Sequence, residues 1–248
     1  MTAIALSFVV PAYNEEDSIE GTLGTLEEVV KKSKLSYEII MVNDGSVDKT
    51  LPKAITYASG NGHVKVVSYS PNEGKGYAIK EGFTKANGEV VVFADSDMDV
   101  DLKSVSVYVD ALRSGDIVIA SKWHSQSVVE MPLVRRLLSH GFNVLVRLLT
   151  GVPWRDTQAG LKAIRKSALL DVFPLLAVKR YAFDAELLAV ANLYGLRVVE
   201  MPVRLKMGAS FRVREMWRML IDLLGIAYRL RVIRFYQKPR ARRKISKS

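Results

Sequence analysis

The sequence predicts an α/β fold: a mostly parallel central sheet with helices on both faces. Strand-like runs recur at residues 6–10, 37–42, 64–68, 90–93 and 116–121. The run at 90–93 is apolar throughout and largely β-branched, as suits a strand buried on both faces. Helix-like segments separate the runs, and regular alternation of strand and helix is the pattern of a parallel sheet with right-handed crossovers. Each of the first four runs ends in a loop of Pro, Asn, Asp, Ser or Gly. In an open α/β sheet those loops share the edge where ligands bind.

In chain order, Pro11 ends the first strand, and Asp17 or Ser18 can cap a helix running to about residue 32. The second strand ends in Asn43-Asp44-Gly45-Ser46. Asp48 then caps a helix that tolerates Pro52 in its first turn. After the third strand comes Pro71-Asn72-Glu73-Gly74-Lys75-Gly76, followed by a helix to Ala86 that Asn87-Gly88 terminates. The loops at Pro11, Asp44, Asn72 and Asp95 would line one crevice. Gly74 and Gly76 read first as turn chemistry, yet a helix starting at this point can also bring Lys75 and backbone amides close to a phosphate. No GxxxxGK[ST] occurs and no GxGxxG follows the first strand, which argues against a Walker loop and an ordinary dinucleotide fold.

The fourth strand leads into Asp95, Asp97, Asp99 and Asp101, four carboxylates at alternate positions. Like charges so close repel, so the spacing calls for a reason. In an extended chain alternate residues share a side, and several oxygens can converge. Oxygen-only ligands at the end of a parallel strand suit a hard dication, Mg²⁺ or Mn²⁺, that also carries a phosphate. The competing reading is a solvated acidic turn, and Asp101 before Leu102 is expected only to cap the next helix.

A helix is expected over 102–113, and from Met131 the character changes. Residues 132–150 form a helix with Leu133, Leu137, Leu138, Phe142, Leu145, Val146, Leu148 and Leu149 among Arg135, Arg136 and Arg147. It is either a core helix or one lying on a membrane surface. A short strand at 161–164, a helix at 183–194 and a strand at 197–205 follow. Residues 211–235 form a long helix where Trp217, Leu220, Leu223, Leu224, Ile226, Tyr228 and Ile233 alternate with basic residues. Aromatic and basic side chains on one amphipathic helix suit a lipid headgroup layer. The expected division is a catalytic domain over 1–210, a membrane-associating helix over 211–236 and a basic tail over 237–248.

Hydrophobic residues make up 49% of the 248, enough for a sizeable core, and there is no cysteine for a disulfide, a zinc-thiolate site or a thiol nucleophile. The net charge of +10 is concentrated at the C-terminal end. No acidic residue follows Asp222, whereas Arg229, Arg231, Arg234, Lys238, Arg240, Arg242, Arg243, Lys244 and Lys247 do. Such a tail suits anionic lipid or nucleic acid by charge alone. No signal peptide and no membrane-spanning run are expected, because Arg147 and Asp222 interrupt the longest apolar stretches.

Several motifs fall in order: Pro11-Ala12-Tyr13-Asn14-Glu15, Asn43-Asp44-Gly45-Ser46-Val47-Asp48, Asn72-Glu73-Gly74-Lys75-Gly76 and Asp95-Ser96-Asp97. Together they resemble glycosyltransferase family 2, whose members have the GT-A fold and use nucleotide sugars. Ser121-Lys122-Trp123, Arg135-Arg136-Leu137-Leu138-Ser139, Asp156-Thr157-Gln158-Ala159-Gly160-Leu161-Lys162 and Phe183-Asp184-Ala185-Glu186-Leu187 are similar to its polyprenyl-phosphate branch, which holds the dolichyl-phosphate mannose synthases and glucosyltransferases. The resemblance implies that Pro11, Tyr13 and Glu15 border the nucleotide, with Asn72 and Lys75 also on the donor side. It implies that Asp44 accepts a hydrogen bond from the base. Asp95 and Asp97 would hold the metal on the diphosphate, with Asp99 as a third ligand. Lys122, Arg135 and Ser139 match acceptor-phosphate positions. Related enzymes often carry Arg at the first of these, and Lys122 lacks that bidentate fork. Arg204, Lys206 and Arg212 are candidates for a further basic contact near Gly208-Ala209-Ser210.

The implied reaction is inverting transfer of a hexose from a UDP- or GDP-sugar to a polyprenyl or dolichyl phosphate. Gln158 and the 183–186 stretch favour glucose over mannose. The expected setting is the cytoplasmic face of a membrane, peripherally bound to anionic lipid, with a separate membrane subunit as a further partner. An anionic acceptor needs orientation by cations more than a general base. A saccharide hydroxyl would need one, and Asp184 or Glu186 could serve, although pairing with Lys179 or Arg180 is the favoured expectation for both. A non-catalytic family member is a further reading, and a basic nucleic-acid-binding protein is another. The latter explains the tail but not the ordered loops, so no nucleic-acid partner is expected. His63, His124 and His140 share no metal-ligand spacing.

Overall fold

The computed structural model describes residues 4–33, 35–96, 105–208 and 213–237. Strands β1 (Leu6–Ala12), β2 (Tyr37–Asp44), β3 (Val64–Tyr69), β4 (Val90–Phe93), β5 (Ile117–Ser121), β7 (Lys162–Arg165) and β8 (Val198–Pro202) form one seven-stranded sheet in the order β3-β2-β1-β4-β7-β5-β8. Strands β6 (Val128–Glu130) and β9 (Arg204–Lys206) pair in a separate two-stranded sheet. The helices are α1 (Ile19–Ser33), α2 (Thr50–Ser59), α3 (Lys75–Lys85), α4 (Val105–Ala111), α5 (Leu133–Thr150), α6 (Lys166–Leu169), α7 (Phe183–Leu193) and α8 (Val213–Arg231).

The main sheet is parallel except at β7, which runs antiparallel to both β4 and β5. Every residue of β1 and β2 is buried, including Ser7 and Glu38, where the Ser7 hydroxyl donates to the Glu38 carboxylate at 2.6 Å. Alternate side chains feed two cores. Val9, Ile40, Val42 and Val91 face Ala78, Ile79 and Phe83 of α3, Phe183 and Leu187 of α7, and Leu223 and Ile226 of α8. Phe8, Val10, Ile39, Met41 and Val92 face Ile19, Leu23 and Leu26 of α1, Ala54 of α2, and Tyr108 of α4.

Two expectations need correction. Pro11 does not end β1. The pairing with β4 stops at Val9, so the missing proline N–H costs no bond there, while the ladder to β2 continues through Pro11 and Ala12. The strand expected at 197–205 is two strands: after Pro202, Val203 passes the chain from β8 in the main sheet to β9 in the small one. β6 is not legible as a strand in the sequence; it has only three residues, and its pairing with β9 organises it. The capping role expected of Asp101 lies outside the described residues. Among the described residues, no helix is long and apolar enough to cross a membrane.

Candidate active site

The loops at the C-terminal ends of β1 to β4 are stitched to one another by side chains. Asp44, ending β2, is buried. Its Oδ1 accepts the Tyr69 hydroxyl at 2.9 Å and the Glu73 N–H at 2.8 Å, and its Oδ2 accepts Asn72 Nδ2 at 2.8 Å and the Gly74 N–H at 2.9 Å. Burial, followed by the Asp44 carboxylate, pushes the Tyr69 phenol up. Gly74 has φ +106°, and a Cβ there would meet the Lys179 carbonyl oxygen at 2.7 Å, so this position needs glycine. Asp44 and Asn72 thus fix the turn that launches α3. On the neighbouring loop the Asn14 N–H donates to Ser46 Oγ at 3.0 Å and the Glu15 N–H to Thr50 Oγ1 at 2.7 Å. Pro11 is buried beneath this loop, Tyr13 is exposed on it, and the Glu15 carboxylate accepts the Ser18 hydroxyl at 2.5 Å.

From Lys75, the first residue of α3, a line of alternating charges runs inward. Lys75 Nζ lies 2.6 Å from Asp95 Oδ1 and 3.7 Å from Asp184 Oδ2, and Lys162 Nζ lies 2.8 Å from Asp184 Oδ1. Burial pushes the Asp184 carboxyl up, but Lys162 and then Lys75 outweigh it and hold the group below its ordinary value. Lys162 Nζ also donates to the Ala159 carbonyl at 2.6 Å. A Cβ on Gly160 would stand 2.1 Å from Asp95 Oδ2, so only glycine leaves this carboxylate its place.

The pairing expected of Asp184 and Glu186 is therefore corrected. Neither takes Lys179 or Arg180. Lys179 pairs with Glu73 at 2.6 Å. Glu186 accepts the N–H groups of Ala177 and Val178 at 2.9 and 2.8 Å, Arg229 Nη2 at 3.2 Å and the Tyr236 hydroxyl. The reason is burial: α7 is buried from Phe183 to Ala191, so both carboxylates turn inward, while Lys179 and Arg180 stay exposed before the helix begins.

Of the carboxylates expected to hold a dication, Asp95 is described; Asp97 and Asp99 lie outside the described residues. Among the described residues no group of three or more His, Asp or Glu gathers as a metal site. Asp95 itself fits the role: it is a hard oxygen donor just past β4, in a cradle that a Cβ at position 160 would fill.

A second pair stands at the end of β5. The Lys122 N–H donates to Asp156 Oδ2 at 2.8 Å, and Lys122 Nζ lies 3.0 Å from the same oxygen. Both residues are buried. Arg135, in the first turns of α5, donates through Nη1 to the Gly208 carbonyl at 2.6 Å. Ser139, half-buried one turn on, offers its carbonyl to Asn143 Nδ2 at 3.0 Å. Arg204 and Lys206 are exposed on β9, with Lys206 Nζ 3.7 Å from Glu130, and Arg212 lies outside the described residues. The 156–160 motif stands out in the sequence, but its partners do not. Asp156 meets Lys122, 34 positions away, and Gly160 meets Asp95 at still greater separation.

Carboxylates paired with lysines thus gather at the strand-end edge of an open α/β sheet, the edge where ligands bind in such folds. A model of glycosyl transferase family 2 matches residues 7–173. The chain is 33% identical over 239 residues to a dolichyl-phosphate β-glucosyltransferase of Trichomonas vaginalis, covering 91% of this chain and 73% of that protein. It is 34% identical over 221 residues to the Drosophila melanogaster enzyme of that name, covering 82% and 67%, and 34% identical over 214 residues to the human one, covering 80% and 66%. Glucosyl-3-phosphoglycerate synthase of Mycobacterium tuberculosis, crystallised with Mn²⁺ and UDP-glucose, superposes with a TM-score of 0.67 at 20% identity over 91% of this chain and 78% of that one, a likeness of fold. The chain belongs to glycosyltransferase family 2 and has the GT-A fold. Within the family its similarity is to the dolichyl-phosphate β-glucosyltransferases.

Proposed function

We propose that the protein transfers glucose from UDP-glucose to dolichyl phosphate or a related polyprenyl phosphate, with inversion at the anomeric carbon. The observation that carries this reading is the pairing of Lys75 with Asp95 at the strand-end edge, in a chain whose relatives are named for this transfer. A phosphate oxygen of the acceptor attacks the anomeric carbon, the bond from that carbon to the β-phosphate oxygen breaks, and UDP leaves. An α-linked donor then gives a β-linked lipid phosphate. The acceptor oxygen is already ionised near neutral pH, so no base is required.

Asp95 with Asp97, and Asp99 as a third ligand, would hold Mg²⁺ or Mn²⁺. That ion, when bound, neutralises charge developing on the diphosphate. Lys75 stands beside Asp95 to meet the same phosphates. Pro11, Tyr13, Glu15 and Asn72 border the nucleoside. Asp44 keeps its turn in place through four protein donors, and a contact with the base would add to these. Lys122, Arg135 and Ser139 orient the acceptor phosphate, and Arg204, Lys206 and Arg212 stand near its approach. A saccharide-hydroxyl acceptor is disfavoured by the two lysines on Asp184, which make that carboxylate a poor base.

A lipid acceptor calls for a membrane surface. Support comes from α5 and α8, which pack on each other. They leave Leu133, Val134 and Leu137, and Trp217, Ile221 and Tyr228, exposed. The 211–236 segment and the basic residues beyond it would bind anionic headgroups at the cytoplasmic face. The test is the anomeric configuration of lipid product made from UDP-glucose and dolichyl phosphate in vesicles, read by NMR. A β-glucosyl phosphate supports the reading; an α-linked product refutes inversion.

A further inference from the structure

We propose that Gln158, together with Trp123, reads the hydroxyl groups of the transferred hexose. This rests on the donor and acceptor assignments above and deepens them. Loop 156–160 spans the two halves of the site: Asp156 is held by Lys122 at one end, and Gly160 lies against Asp95 at the other. A hexose passing from a diphosphate at Asp95 to a phosphate at Lys122 has to cross the space beside this loop. Gln158 is its middle residue.

The loop backbone is fixed, because the Gln158 N–H donates to Asp156 Oδ1 at 3.0 Å. The side chain is not accounted for by the protein. Gln158 Nε2 is buried without a hydrogen-bond partner among the described residues, and so is Trp123 Nε1. Trp123 directly follows Lys122, and its ring packs edge-on against His140 with centroids 5.2 Å apart. Ser121 Oγ, directly before Lys122, is a third buried group without a partner among the described residues, and the two N–H donors flank one buried ion pair.

Buried polar groups in native proteins are nearly always paired, so each such donor points to a missing acceptor. The chemistry of these two selects among ligands. Phosphate oxygens are served by the lysines and arginines of the site. The Gln158 amide nitrogen, with two N–H groups, and the Trp123 indole N–H are neutral donors, suited to hydroxyl oxygens. A site that donates to a substrate hydroxyl discriminates strongly against the analogue lacking it, because the donor is then buried unpaired. Gln158 and Trp123 would accordingly set which hexose is accepted, without touching the nucleotide.

The test is calorimetric binding of UDP, UDP-glucose and the UDP-deoxyglucose series to the full chain with Mn²⁺, in the native protein and in Gln158→Leu and Trp123→Phe. Each variant deletes one donor and keeps much of the side-chain volume. The native protein should bind at least one deoxy donor about 10-fold or more weaker than UDP-glucose. Each variant should bind UDP-glucose weaker by a similar factor, keep its affinity for UDP, and lose its response to removal of one particular hydroxyl. Gln158→Leu should not melt at lower temperature, since no hydrogen-bond partner of its amide nitrogen is lost. Equal loss of UDP and UDP-glucose affinity, or an unchanged deoxy pattern in both variants, would overturn the proposal. Absence of lipid transfer with the deoxy pattern intact would instead refute the acceptor assignment and leave this reading standing.

Discussion

Lys75 Nζ lies 2.6 Å from Asp95 Oδ1, joining the start of α3 to the end of β4. The same ammonium stands 3.7 Å from Asp184, which in turn holds Lys162. One lysine therefore balances the carboxylate expected to meet the dication and a carboxylate of the interior.

Lys75→Met is predicted to remove a cation from the proposed diphosphate site. The KM for UDP-glucose should rise and kcat should fall, with kcat/KM reduced about 10- to 100-fold for a lost charge-assisted contact. Steady-state kinetics over a donor series checks this. Unchanged kcat/KM would remove Lys75 from the donor site.

Asp184→Asn leaves Lys162 buried and uncompensated. A buried pair broken on one side costs about 3 to 5 kcal/mol, so the melting temperature should drop clearly in denaturation experiments. The pH dependence has a definite sign. Asp184 sits below its ordinary value in the folded protein, so it binds a proton more readily when unfolded. Its stabilisation is fully present above the unfolded value, about 4, and is lost as pH falls through the folded value. Native protein should lose stability over that acidic range, and Asp184→Asn should show a flatter profile there.

The two faces of α8 should behave differently. Leu223 and Ile226 are fully buried, whereas Trp217 and Ile221 are 63% and 65% exposed. Leu223→Ala should destabilise by about 2 to 5 kcal/mol. Trp217→Ser with Ile221→Ser should leave the melting temperature near native and weaken partitioning onto anionic liposomes in a flotation assay. Unchanged partitioning would deny this face a membrane role.

Much of the fold is legible in the sequence, for physical reasons. Short runs rich in β-branched and other apolar residues, bounded by turn residues, read as strands, so β1, β2 and β4 are readable, and the loops after them can be placed on one edge. Long-range partners cannot be read. Nothing local to Asp184 distinguishes Lys162 and Lys75 from the nearer Lys179, because the choice depends on α7 being buried from Phe183 to Ala191. Likewise 211–235 reads as one amphipathic helix, but its pattern does not say that Leu223, Ile226 and Leu230 join the core while Trp217 and Tyr228 stay outside. The antiparallel β7 is hidden because a strand of four residues carries no sign of its direction.

The most direct test of the central claim is transfer of radiolabel from UDP-glucose to dolichyl phosphate, extracted into organic solvent. It should be run with Mn²⁺ or Mg²⁺, with EDTA, with GDP-mannose as competing donor, and with Asp97→Ala. The account predicts lipid-phase label from UDP-glucose that EDTA and Asp97→Ala each nearly abolish, with little from GDP-mannose. Label that survives both EDTA and Asp97→Ala, or that comes from GDP-mannose in preference, would contradict it.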